Sequence, residues 1–403
     1  MTARGDDARA SAPSARSFAG EAPMNPLLLG GGEYPFLKLA RIKDALLPAA
    51  VRPIDFSIGD PREETPDFIR EALRAAVPAV SSYPAVAGLP ELRAACARWL
   101  DRRFGVRLDP ESQILPANGT KEAIFLLAFA VTGRDATRDT VVIPTPAYPV
   151  YEAGARFAGA HVHLAPLSAR DGWRFDPGSV PDEIWRRTAL LWINYPHNPT
   201  GATLAREGFE RVHECARRFG FWVASDEAYA EIHFGAAPPS MLESGVDHVI
   251  ALHTLSKRSA MTGYRSGFMA GDERLIAALK RFRPNVGVAT PDFVQRAAIA
   301  AWSDDEHPVD LRERYGAKRE LFRAALKRIG WAIAASEATF YLWIRAAGGD
   351  DVGLTERLMR AGLVALPGSF LGPGGEGYVR WALVPTLGEC REAISRLESV
   401  ENR

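Results

Sequence analysis

The run Thr254-Leu255-Ser256-Lys257-Arg258 is followed at short distance by Gly263-Tyr264-Arg265-Ser266-Gly267. Two hydroxyls stand one and three residues before a lysine, and an arginine stands eight after it. A phosphate monoester needs several donors at close range, and hydroxyls, a guanidinium and nearby glycines supply them. A lysine held beside a phosphate-bearing aldehyde can form a Schiff base. Most lysines are solvated loop residues, so this pattern gains weight only in company.

Three further segments keep it company. Asn198-Pro199-Thr200-Gly201 and Asp226-Glu227-Ala228-Tyr229 each follow an apolar run, and Asn118-Gly119-Thr120-Lys121-Glu122-Ala123 opens the apolar stretch Ile124–Val131. An NPTG is commonly a plain turn, and a lone DExY is commonly surface. Unpaired backbone N–H groups at a helix start bind phosphate well, which suits Asn118–Thr120.

The elements that must position these residues follow from apolar periodicity. Thr140–Ile143, Leu190–Asn194, Trp222–Ser225 and Val249–Leu252 read as strands, and His161 and His163 alternate along another. Glu91–Phe104 and Leu204–Phe219 read as helices with one apolar face. Strands alternating with helices indicate a mainly parallel α/β sheet, which places ligand sites outside the carboxyl ends of its strands. All four motifs fall at such ends. After about residue 290 the pattern changes to a charged helix over Leu311–Ile329, then strands at Tyr341–Ile344 and Tyr378–Val384. The expected division is a disordered tail over 1–25, a large domain over 61–290, and a smaller α+β domain from 26–60 and 291–403. The tail lacks hydrophobic periodicity, and its acids Asp6, Asp7 and Glu21 argue against a transit peptide.

Composition excludes several classes. Lys+Arg and Asp+Glu are both 49, so no charge footprint for nucleic acid exists. Of the 49 basic residues 7 are lysines, leaving 42 arginines. Amine chemistry therefore has few side chains to choose from. Cys96, Cys215 and Cys390 form no CxxC pair, which suits a reducing compartment. The longest apolar run, Ala123–Val131, is far short of the roughly 20 residues of a membrane span. No apolar stretch follows the N-terminal arginines as in a secretory signal, and the expected location is cytoplasmic. The histidines show no metal-ligand spacing, and the pair His161/His163 reads as solvent-facing, so no metal is expected.

Together the motifs resemble the class I/II aminotransferases, fold-type I enzymes dependent on pyridoxal 5′-phosphate. The resemblance runs from about Tyr34 to the C-terminus. It implies a large cofactor-binding domain with a mostly parallel seven-stranded sheet, a smaller domain from both termini, and a homodimer with shared active sites. It gives Lys257 the Schiff base with the cofactor's aldehyde. Thr254, Ser256 and Arg265 become phosphate ligands, with Gly119 and Thr120 offering backbone N–H groups and Lys121 beside them. Asp226 matches the carboxylate that pairs with the pyridine nitrogen. Asn198 and Tyr229 match the donors to the ring's phenolic oxygen, and Tyr148 the stacked aromatic. Tyr83, in Tyr83-Pro84-Ala85-Val86-Ala87-Gly88, matches the residue that reaches the partner's phosphate. Arg380 matches the substrate carboxylate clamp, and Gly59, in Ser57-Ile58-Gly59-Asp60-Pro61, a backbone position near it.

The chemistry explains these residue types. Proton removal from the substrate Cα leaves a carbanion that must spread into the ring, which works best with a protonated pyridine nitrogen. A buried Asp226 keeps that proton by charge pairing. The freed Lys257 amine can move the Cα proton. A planar guanidinium at Arg380 can fix the Cα–H bond across the ring plane.

Several segments are similar to succinyldiaminopimelate aminotransferases of lysine and cell-wall biosynthesis: Tyr34-Pro35-Phe36-Leu37-Lys38-Leu39, Leu115–Ala123, Leu255-Ser256-Lys257-Arg258-Ser259 and Leu366-Pro367-Gly368-Ser369-Phe370. This resemblance implies N-succinyl-LL-2,6-diaminopimelate as donor, with glutamate and 2-oxoglutarate as the other pair. Such a donor carries extra carboxylates, for which Lys121 and Arg258 are candidate cations, each competing with a structural role. His197 stands where a glycine is common, and Tyr264 where a small aliphatic is common. LL-diaminopimelate and broad aspartate or aromatic aminotransferases remain alternatives, as does a pyridoxal-phosphate-dependent C–S lyase, since all begin with the same carbanion. A regulator carrying a DNA-binding module is not expected, because the roughly 33 residues before Tyr34 are too few for a winged helix.

Overall fold

A computed structural model describes residues 24–30, 34–133 and 137–401. Tyr34–Arg403 form one compact unit. Outside it, Pro26–Gly30 form a short helix. The expected tail over 1–25 lies, apart from residues 24 and 25, outside the described residues.

Seven strands build the large sheet: β1 (Ile114–Ala117), β2 (Thr140–Thr145), β3 (His161–Pro166), β4 (Thr188–Asn194), β5 (Trp222–Asp226), β6 (Val249–Thr254) and β7 (Gly267–Gly271). Their order is β1-β7-β6-β5-β4-β2-β3, and β7 alone runs against the rest. The mostly parallel seven-stranded sheet is thus as the sequence indicated. Apolar runs form these strands because both faces are covered. Val142, Leu191, Ile193 and Val223 point into one core, and Val141, Ile143, Leu190, Trp192 and Ala224 into the other.

The helices obey their end signals. Pro90–Phe104 begins on a proline and stops at Gly105, which takes φ 68°. Arg206–Phe219 stops at Gly220 with φ 73°. Its Phe209, Val212 and Ala216 are buried against the sheet, and each larger one contributes about 1.5–3 kcal/mol. Observed element ends differ by a few residues from those read by periodicity, as capping residues rather than apolar ones set them.

A second, antiparallel sheet comprises β8 (Ile333–Ala335), β9 (Tyr341–Arg345), β10 (Leu366–Pro367) and β11 (Tyr378–Ala382), in the order β10-β11-β9-β8. It shares a core with Ile54, Phe56 and the helix His307–Arg328. Ile54–Asp55 pairs with Leu363–Val364 in a separate parallel ribbon. The helix Pro35–Leu46 packs Leu39 on Met359, Val364 and Leu366. Helix Asp292–Ser303 buries Ala297, Ala298, Ala301 and Trp302 in the core of the large sheet. It therefore goes with the large sheet rather than with the small domain expected from residue 291. Its apolar face gives no sequence sign of which core it joins.

Candidate active site

Strand register explains how distant motifs meet. Ala117 pairs with Gly267, and Gly267 pairs with Thr254. Because β7 is antiparallel, it starts where its neighbours end. Arg265, just before it, therefore arrives beside the Asn118–Thr120 turn and the Thr254–Lys257 turn. Two strands further, Asn194 pairs with Asp226. The carboxyl ends of β1, β4, β5 and β6 thus converge on one pocket of about 330 Å³.

Of the residues singled out in the sequence, Gly59, Thr120, Lys121, Tyr148, Asn198, Asp226, Tyr229, Thr254, Ser256, Lys257, Arg265 and Arg380 all line this pocket. Tyr83 does not: it is 92% exposed on the surface of the chain. Gly119 sits under the pocket, and its N–H donates to the Ala117 carbonyl at 2.8 Å. The role visible for Gly119 is steric. It holds φ 75°, and a Cβ there would collide with the Arg265 guanidinium. Thr120 and Lys121 open the helix Thr120–Val131, where N–H groups have no intrahelical partner.

Lys257 lies in the four-residue helix Leu255–Arg258, capped by the Thr254 hydroxyl, which accepts from the Ser256 N–H at 3.1 Å. Its Nζ donates to the Gly59 carbonyl at 2.5 Å. Burial pushes its pKa down to about 8, helped by Arg265 and Arg380 and opposed by Asp60 and Asp226. Asp226 is buried and is raised to about 6 by that burial. The Tyr151 hydroxyl donates to its Oδ2 at 2.7 Å, and the Ala228 N–H to its Oδ1 at 3.2 Å, which both favour the carboxylate. Arg265 is exposed, in the left-handed region at φ 54°, with Nη1 and Nη2 tied to the carbonyls of Thr262 and Asn118. Burial raises the pKa of Tyr229 well above the ordinary tyrosine value, and its hydroxyl meets that of Tyr341 at 2.9 Å.

Arg380 comes from β11 and reaches across to the large sheet. Its Nη1 donates to Asn198 Oδ1 at 2.8 Å and its Nη2 to the Ser57 carbonyl, while Nε is buried without a partner. An orphaned guanidinium donor beside two engaged ones fits a carboxylate. Arg258 is not on the pocket. It is buried against Trp302, bonded to the carbonyls of Ala301 and Asp304, so its candidacy as a substrate cation is corrected. His197 is buried with Nδ1 at 2.8 Å from Thr200 Oγ1, and burial drives its pKa to about 3, so it stays neutral behind Asn198. Tyr264 packs half-buried on the large core. Among the described residues no acid, histidine or cysteine cluster could hold a metal, and no helix is long and apolar enough to cross a membrane.

Other lining residues were not read from the sequence. Tyr34, Phe36, Ile58 and Tyr341 wall the pocket from elements far apart in the chain. Tyr151, which supports Asp226, was also missed, although it stands three residues after Tyr148 and the two ring centres lie 5.8 Å apart.

Hydroxyls, a guanidinium, a buried carboxylate and a lysine of depressed pKa line this one pocket. The sequence matches the model of the family "aminotransferase class I and II" over residues 51–397. The chain belongs to that family. This aminotransferase is 39% identical over 380 residues to the LL-diaminopimelate aminotransferase of Desulforudis audaxviator, spanning 92% of this chain and 96% of the relative. Its fold matches the crystal structure of an aminotransferase from Neisseria meningitidis with a TM-score of 0.89, at 35% identity over 94% and 100% of the two chains. A probable N-succinyldiaminopimelate aminotransferase from Thermus thermophilus matches with a TM-score of 0.84, at 33% identity over 91% and 99%.

The aminotransferase uses pyridoxal 5′-phosphate, as its family does. The residues present fit that group. The glycine cradle under Arg265, with the hydroxyls of Thr120, Thr254 and Ser256, has the donors a phosphate needs. Asp226, whose carboxylate form two donors favour against its burial, can face a protonated ring nitrogen. Its substrates are amino acids and 2-oxo acids.

Proposed function

We propose that this enzyme transfers the amino group of LL-2,6-diaminopimelate to 2-oxoglutarate, in the formation of diaminopimelate and lysine. The observation that carries the reading is Lys121. Four cations line the pocket: Lys121, Lys257, Arg265 and Arg380. The last three have duties at the reacting amine, the phosphate and the α-carboxylate. Lys121 is exposed at the mouth, with its Nζ 5.9 Å from the Tyr34 ring centre. One spare cation suits one distal carboxylate. The relatives named LL-diaminopimelate aminotransferase, at 35–39% identity over nine-tenths of the chain, support the same substrate. N-succinyl-LL-2,6-diaminopimelate is the second reading, favoured by the Thermus neighbour and by the segments around Tyr34, Lys257 and Leu366.

Bound cofactor supplies an electron-withdrawing ring into which charge at the substrate Cα can spread. In this reading Thr254, Ser256, Thr120 and Arg265 bind its phosphate, and Tyr148 covers the ring. Asp226 keeps a proton on the ring nitrogen, while Asn198 and Tyr229 donate to the phenolic oxygen. Arg380, oriented by Asn198 and the Ser57 carbonyl, holds the α-carboxylate in a plane. Lys257 Nζ, neutral above pH about 8, captures the cofactor and later takes the Cα proton. Gly59 lies against that amine through its carbonyl.

We also propose a homodimer in which Tyr83 serves the partner's site. Val80 and Tyr83 are 84% and 92% exposed, and a second copy would cover them. Initial rates with a panel of donors and 2-oxoglutarate test the substrate. LL-2,6-diaminopimelate is expected to lead in kcat/KM over N-succinyl-LL-2,6-diaminopimelate and aspartate. A lead for the succinylated donor would establish the second reading, and parity with aspartate would refute both.

A further inference from the structure

Immediately behind Lys257, Arg258 and Ser259 are both buried, and they reach the link between two helices. The helix Asp292–Ser303 packs in the core of the large sheet, and His307–Arg328 packs in the core of the small one. The residues 304–306 between them are therefore the joint of the two cores. Arg258 Nη1 donates to the Ala301 carbonyl at 2.7 Å, and Nη2 to the Asp304 carbonyl at 2.7 Å and to Asp305 Oδ1 at 3.2 Å. Its guanidinium lies 5.1 Å from the Trp302 ring centre and 5.7 Å from that of Trp99. The Ala301 carbonyl is in the last turn of its helix, where carbonyls lack intrahelical partners, and Asp304 caps that helix.

A second chain of bonds runs beside the first. Ser259 Oγ lies 2.8 Å from His307 Nε2, and His307 Nδ1 lies 2.6 Å from Asp304 Oδ1. Arg258 Nη1 also approaches Nε2, at 3.3 Å. A guanidinium can only donate, so Nε2 is the acceptor. Nδ1 therefore carries the proton and donates it to Asp304. The ring is neutral in this arrangement, and burial with the nearby Arg258 holds its pKa down at about 4. The resemblance to a hydrolytic triad is superficial, since Ser259 is fully buried.

We propose that Arg258, with the Ser259–His307–Asp304 chain, is a positioning device that fixes the backbone of Lys257 to the joint between the two cores. The amine that does the chemistry is thereby set by the same contact that sets the angle of the small domain, which brings Arg380. A shift at 304–306 is transmitted to Lys257 through two adjacent residues. This inference rests on the reading of Lys257 as the cofactor-binding amine.

The test uses the holoenzyme and the variants Arg258→Met, Arg258→Lys and the milder His307→Gln and Ser259→Ala. Asp60, Arg265, Arg380 and Asp226 also act on the Lys257 amine, and all four stay in place in each variant. The readouts are the pH midpoint of the cofactor's visible absorbance, kcat against KM, and the melting temperature. Arg258→Met and His307→Gln are expected to move the midpoint by more than about half a unit and lower kcat at least about tenfold, with KM for the donor within about threefold. Arg258→Lys is expected to recover only part, since an ammonium cannot span both carbonyls. If Arg258→Met does not fold, the two milder variants decide. Lower melting temperature with unchanged midpoint and kcat would overturn the inference and leave a purely structural cluster. Lys257→Ala, run in parallel, separates the two claims: cofactor still fixed to the protein by borohydride in that variant would refute the Lys257 reading itself.

Discussion

The Lys257 ammonium donates to the Gly59 carbonyl at 2.5 Å, across 198 residues of sequence. That bond joins the end of a large-sheet strand to the segment after Ile54–Asp55, which pairs beside the small sheet. It holds the amine on the pocket lining. Burial and the nearby Arg265 and Arg380 make the amine more easily deprotonated, against that bond, and capture of an aldehyde requires the neutral amine.

The rate at which cofactor-free protein takes up pyridoxal phosphate should rise with pH through a midpoint near 8. The sign follows from burial: the charged form is disfavoured, so the nucleophilic neutral amine predominates above about 8 rather than above its ordinary 10.5. Stopped-flow absorbance between pH 6 and 10 measures it. A midpoint near 10 would show that Lys257 is as solvated as a surface lysine.

Tyr151→Phe tests the support of Asp226. The hydroxyl donates to Oδ2 and lowers the Asp226 pKa, opposing the burial that raises it to about 6. Without it the carboxylate protonates at higher pH. The acid limb of kcat/KM should therefore move upward in pH, with little change near pH 9. An unmoved limb would mean that Asp226 does not govern it.

Gly119→Ala places a methyl group where the Arg265 guanidinium lies, at a backbone φ of 75° that an L-residue rarely takes. Displacing a guanidinium from a phosphate forfeits on the order of 1.5–3 kcal/mol. Cofactor retention in equilibrium dialysis should fall about ten- to hundredfold. Wild-type retention would dissociate Arg265 from the phosphate.

Lys121→Ala probes the distal carboxylate. For LL-2,6-diaminopimelate kcat/KM should drop about tenfold or more, while alanine as donor changes less than about twofold. Equal losses for both donors would assign Lys121 to the cofactor rather than to the substrate.

The site was legible where chemistry and motif coincide within a few residues. Lys257 and Asn198 follow strands whose apolar runs are unmistakable, Asp226 ends another, Arg265 lies eight residues after Lys257, and all four line one pocket. Walls built by distant segments were not legible. Tyr34, Ile58 and Tyr341 carry no local signature, because their neighbours are set by the docking of the two sheets. Strand β7 was missed for a related reason. Its sequence, Gly267-Phe268-Met269-Ala270-Gly271, is short and glycine-flanked, and only its pairing with β1 and β6 makes it a strand. Arg258 illustrates the converse, a charge that looked available in sequence and is consumed by the carbonyls of Ala301 and Asp304.

The most direct test of the account is to reduce the holoenzyme with borohydride, digest it and locate the pyridoxyl group by mass spectrometry. With only seven lysines in the chain, the assignment is unambiguous. The account predicts a single modified peptide carrying the label on Lys257. Label on another lysine, or none at all, would contradict it.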